Sequence, residues 1–141
     1  MVENEECRSG VWEKRLRHML PGYVFVYSDN EIPISKLGKM PCVLKPLKYG
    51  DGDYILKGGD RDFAEWIYSH NGLIGLSVAI KSGSKIKVVD GPLLDYEGSI
   101  VEVKRQKRLA KVLITIGDIS REVWMSFEWL KESRMEDHSD E

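Results

Sequence analysis

The sequence is poor in the residues that build covalent or metal-bound frameworks. Cysteine occurs twice in 141 residues, at Cys7 and Cys42, too few for the disulfide scaffold of a small secreted domain and in keeping with a reducing cytoplasm. Cys7, His18, Cys42, His70 and His138 are scattered, with no C-x-x-C or H-x-x-x-H pair, so no metal and no cofactor are expected. No stretch approaches the roughly 18 consecutive apolar residues of a membrane helix. The first ten residues carry three glutamates where a signal peptide would have an apolar run. A soluble, cytoplasmic protein without a membrane partner is the expectation.

An excess of one charge is also missing. The chain has 21 Lys and Arg against 23 Asp and Glu, a net charge of -2, which gives no global attraction to polyanions and makes charge placement decisive. Split after Lys81, the first part holds 11 basic and 11 acidic residues and the second 10 and 12. Catalytic signatures are absent too: there is no G-x-S-x-G elbow, phosphate-binding G-x-x-x-x-G-K-[ST] loop or G-x-G-x-x-G fingerprint, so no enzyme is expected. Asp51, Asp53, Asp60 and Asp62 lack the distal glutamate of a calcium loop, and turn chemistry and helix capping account for them.

What is present is 42% apolar and 9% aromatic residues, enough for one packed domain or two small ones. Leu20-Pro21-Gly22 precedes Tyr23-Val24-Phe25-Val26-Tyr27, a turn signal and then a β-branched and aromatic run that predicts a buried strand. Upstream, residues 11–19 fit a short helix or a strand ending at the Pro-Gly bend, with the strand preferred. Short extended pieces are expected around Val43-Leu44 and over Tyr54-Ile55-Leu56. Asp60 is placed to cap a helix over 60–70, with Phe63 and Trp66 toward the core and Asn71-Gly72 as its stop. Residues 75–85, with Ser82-Gly83-Ser84, read as a passage between two units. Strands follow at 86–89, 99–104, 110–116 and 122–130; in the last, Val123, Met125, Phe127 and Trp129 share a face opposite Trp124, Ser126 and Glu128. Such short strands suggest a small antiparallel barrel, and 132–141 reads as a disordered tail.

The most specific residues are Asp90-Gly91-Pro92-Leu93-Leu94 and Glu97-Gly98-Ser99-Ile100-Val101. Physically, Gly91-Pro92 bends the chain after a strand, and Gly98 is expected in a turn that would strain an L-residue. This stretch resembles a KOW motif, the SH3-like barrel element of NusG and Spt5 transcription factors and several ribosomal proteins. Residues 83–93 look like the NusG-type entry to that motif, and Val123-Trp124-Met125-Ser126-Phe127 looks like its closing strand. Leu20-Pro21-Gly22-Tyr23-Val24-Phe25-Val26 resembles the Pro-Gly-Tyr-Val strand of the NusG N-terminal (NGN) domain, and the link over residues 71–94 is similar to the specialised LoaP antiterminators. The resemblance implies an α+β chain: an NGN-like α/β sandwich over 1–80, a linker at 81–83, and a KOW barrel over 84–131. The family's opening strand and helix lack room before Pro21. The expectation is therefore an N-terminally shortened domain whose unpaired sheet edge could promote self-association.

The resemblance further implies a transcription elongation or antitermination factor that grips the clamp helices of RNA polymerase. By position, Leu20, Tyr23 and Phe25 are its polymerase-binding candidates; the alternative is that all three belong to the core. Lys104, Arg105, Lys107, Arg108 and Lys111 place five cations in eight residues without an acid, a cluster suited to RNA phosphates or to a solvated turn. The barrel could also recruit a ribosomal protein or a termination factor. The rival reading is a ribosome-associated or RNA-binding KOW module with no polymerase contact.

Overall fold

A computed structural model describes residues 1–30, 33–50 and 52–130. The chain opens with a hairpin of β1 (Val2–Arg8) and β2 (Val11–Arg17). Ser9 and Gly10 connect them at φ 51° and 79°, the left-handed pair that matches a two-residue turn to strand twist. Helices α1 (Ile34–Leu37) and α2 (Gly58–Ser69) follow. Then come β3 (Ser77–Ser82), β4 (Lys85–Asp90), 3₁₀ turns over Pro92–Ser99, β5 (Ile100–Lys104), β6 (Leu109–Ile116) and β7 (Ile119–Trp129). The fold is mixed α and β with strands predominating.

The five later strands form one sheet in the order β4-β3-β7-β6-β5, antiparallel except where β3 runs parallel to β7 through Ser77↔Phe127. Alternation sorts its faces: Val123, Met125 and Phe127 of β7 and Ala110, Val112, Ile114 and Ile116 of β6 are buried, as period-2 geometry requires. Ile86 and Val88 from one edge strand join the same core, with Ile100 and Val103 of the other edge strand packed against it. Both edges turning inward means that the sheet curls around its apolar face, an arrangement compatible with a small β-barrel.

Side chains, more than strand ladders, complete the curl. Arg105, just after β5, donates to the carbonyls of Gly83 and Lys85, tying the β5 end to the β3–β4 turn. The Glu97 carboxylate accepts from the Val88 amide at 2.6 Å. Asn4 serves β7: its Nδ2 donates to the Trp124 carbonyl at 2.8 Å and its Oδ1 accepts from the Ser126 amide at 3.0 Å. Val2 also bridges Ile74 in parallel, so the N-terminal hairpin lies along β7.

Several expectations are corrected. Residues 23–27 form no strand; Phe25 alone turns to the core, against Phe63 at a centroid distance of 5.9 Å. An apolar run supplies propensity, but a strand also needs a neighbour to bond. Residues 54–56 and the Val43-Leu44 segment are likewise irregular, the latter between Pro41 and Pro46, which donate no backbone hydrogen bond. The passage expected at 75–85 contains β3, and Ser82-Gly83 of the expected linker end that strand and turn into β4. Buried residues on both sides of this turn belong to one apolar cluster. Asp60 is in the first turn of α2 without capping it; its carboxylate accepts from the Tyr49 hydroxyl at 2.7 Å and the Gly117 amide at 3.0 Å. Gly98 has open space and no positive φ, whereas Gly91, at φ 96°, would press a Cβ to 2.6 Å from the Ser77 Cα. The glycine requirement therefore sits at Gly91. The expected tail, 132–141, and Asp51 lie outside the described residues.

Other readings agree with the structure. Residues 11–17 are strand, and α2 buries Phe63 and Trp66 and ends at Ser69, shortly before Asn71 and Gly72, both at positive φ.

Candidate protein and nucleic-acid interfaces

Two surfaces gather the residues singled out in the sequence. The first follows Pro21-Gly22. Leu20 is buried together with Met19, so it supports the fold from beneath and offers little to a partner. Tyr23 is 40% exposed, and Val24 and Val26 are turned outward at 85% and 55%. Phe25 faces the core, and Tyr27 stacks on Tyr68 of α2 at 4.1 Å. Phe25 thus anchors the segment, while Tyr23, Val24, Val26 and Tyr27 keep apolar surface in water. Leu44 and Ile55 add exposed apolar surface elsewhere in the same irregular region. Exposed apolar side chains clustered in one segment are candidates for a protein-binding surface.

The second surface is built on β5, β6 and β7. Lys104↔Leu109 closes the β5–β6 hairpin and Lys111 pairs with Trp124 across β6 and β7; those residues lie on the outer face, opposite the buried positions of the same strands. The five cations have different surroundings. Arg105 is committed to the Gly83 and Lys85 carbonyls. Lys111 meets Glu122 at 2.9 Å and Glu102 at 3.9 Å, and the Glu122 hydrogen bond raises its pKa. Lys104 lies 4.7 Å from the Trp124 ring centroid, Lys111 5.2 Å from it, and the Arg108 guanidinium 3.6 Å from that of Trp12. Lys104, Lys107 and Arg108 make no ion pair among the described residues.

Sequence reasoning missed Trp12 and Trp124 as members of this face. For Trp124 the signal was available: it occupies the outward phase of β7, between buried Val123 and Met125. Trp12 carried no such signal, because only the docking of β1 beside β7 brings its hairpin near Arg108. The hairpin's open side, along β2, carries Glu13, Lys14, Arg15 and Arg17, charges that discourage strand addition.

Among the described residues, no group of three or more His, Cys, Asp or Glu could hold a metal ion, and no helix is long and apolar enough to cross a membrane. Cys7 and Cys42 are exposed, free thiols. No protein-family model matches the chain.

Proposed function

We propose that this chain is a transcription elongation or antitermination factor of the NusG type, which binds RNA polymerase through the region around Tyr23 and RNA through the outer face of the curled sheet. The observation that carries this reading is the apolar strip after Pro21-Gly22, where Tyr23, Val24 and Val26 face solvent at the positions that resemble the family's polymerase-gripping strand. The curled sheet after Ser77, with Gly91-Pro92 at the end of β4, supports KOW identity for the second half. The factor acts by tethering: one surface holds the polymerase clamp helices, the other holds the transcript or a ribosomal or termination-factor protein, and no covalent step is required.

Polymerase capture tests this directly. Tyr23→Ala and Val24→Ser are expected to weaken retention of RNA polymerase by roughly tenfold, as loss of an interface anchor does, while shifting the thermal midpoint by less than about 2 °C. Wild-type chain that retains no polymerase refutes the reading. The second reading, an RNA-binding or ribosome-associated KOW module, is favoured by Lys104, Lys107 and Arg108, which make no ion pair among the described residues; binding to ribosomes or RNA by a wild-type chain that retains no polymerase would select it.

A further inference from the structure

We propose that the N-terminal hairpin and the β5–β6 loop together form a stacking site for single-stranded RNA, in which Trp12 and Trp124 receive bases while Lys104, Lys107 and Arg108 receive phosphates. The choice of RNA as the strand rests on the function proposed above; the stacking chemistry rests on the geometry alone.

Single strands are bound where aromatic rings alternate with cations, because every base has a π-face and every nucleotide carries a phosphate. Here two tryptophans flank one basic loop. Trp124 points outward from β7 with Lys104 and Lys111 over its ring. Trp12 carries the Arg108 guanidinium 3.6 Å from its centroid and remains 38% exposed. Lys104 and Arg108 sit at opposite ends of the β5–β6 turn, with Lys107 exposed between them. One short loop therefore connects both rings. Acids reduce the charge at one end of the face, where Glu102 and Glu122 meet Lys111, and leave the loop as its positive end.

The hairpin is held there by buried chemistry. Asn4 bonds to the backbone of Trp124 and Ser126, and the Glu5 amide donates to the Ser126 hydroxyl at 2.9 Å. These contacts fix β1 against the strand that carries Trp124, so both rings belong to one surface. A duplex has its bases stacked internally and gains nothing from the rings; a single strand does.

The test uses the full chain without polymerase and a fluorescein-labelled ten-nucleotide oligouridine, read by anisotropy. The chain is expected to bind this probe. Trp12→Ala and Trp124→Ala should each weaken binding on the order of tenfold, the contribution of one base–aromatic stack, while Trp12→Phe stays within about threefold of wild type. With three phosphate contacts, log affinity should fall with log salt at a slope of about -2, and Lys107→Gln should reduce that slope by roughly 0.7. The same far-ultraviolet dichroism for variants and wild type separates lost stacking from lost folding. Three results overturn the proposal: no binding of the oligonucleotide, equal binding of duplex RNA, or unchanged affinity in both alanine variants. Each leaves the polymerase-capture result untouched, so failure here and failure of the proposed function are distinguishable.

Discussion

Replacing Asn4 with alanine should release the N-terminal hairpin from the curled sheet. Asn4 is 3% exposed, and its amide does for β7 what a neighbouring strand would do, bonding the Trp124 carbonyl at 2.8 Å and the Ser126 amide at 3.0 Å. Asn4→Ala strands both backbone groups. A buried, unsatisfied polar group costs about 1–3 kcal/mol; the Trp124 carbonyl is only partly buried and belongs at the low end. The sum is about 2–4 kcal/mol, or roughly 6–12 °C in thermal midpoint for a chain of this size. Urea denaturation followed by tryptophan fluorescence measures the first quantity, and hydrogen exchange at the Ser126 amide localises it. Asn4→Asp adds a test of sign. A carboxylate keeps the acceptor for Ser126 but sets a second oxygen against the Trp124 carbonyl, so its folded-state pKa is raised above the unfolded value of about 4. The folded variant then binds more protons than the unfolded one, and its deficit against wild type must shrink as pH falls. A loss below about 0.5 kcal/mol for Asn4→Ala, or a pH-independent deficit for Asn4→Asp, would refute this account of the edge.

Two glycines between β4 and β5 should respond oppositely. Gly91→Ala combines a positive φ with a 2.6 Å approach to the Ser77 Cα and should cost about 3 kcal/mol or more in chemical denaturation. Gly98→Ala meets open space at an ordinary φ and should be neutral or stabilising by up to about 1 kcal/mol; equal penalties would contradict the backbone assignment. Within the hairpin, Arg17 hydrogen-bonds Glu6 through two nitrogens at 2.9 and 3.1 Å and lowers the Glu6 pKa, opposed by burial. That contribution is present above the unfolded carboxyl pKa and is lost as pH falls through the lowered folded value. Because the pair lies near solvent its contribution is small, and acid titration of Arg17→Gln should lack this component; an identical acid profile would remove the pair from the stability account.

The sequence by itself determined the elements whose periodicity is strong and whose neighbours are local. Phe63 and Trp66 mark the buried face of α2, Asn71-Gly72 signals its stop, and alternation along β7 separates core from surface. The Val2–Arg8 strand and the Ser9-Gly10 turn that joins it to β2 were not read from the sequence. Residues 23–27 show the limit of such signals: their β-branched and aromatic composition is that of a strand, yet the fold places no strand beside them. Strand status is a property of a pair, and composition describes only one member.

Only the tertiary structure decided which side chains are committed and which are free. Five cations in eight residues look equivalent in sequence. In space, Arg105 fastens the β3–β4 turn, Lys111 is held by Glu122, Lys104 lies over Trp124, Arg108 lies over Trp12, and Lys107 is exposed. Leu20 and Tyr23, three positions apart, go to the core and to solvent. Asn4 and Ser126 are separated by 122 residues, and no local pattern records that one completes the backbone bonding of the other. The reason is physical: propensity and period act over a few residues, whereas burial, ion pairing and edge satisfaction depend on what the rest of the chain brings alongside.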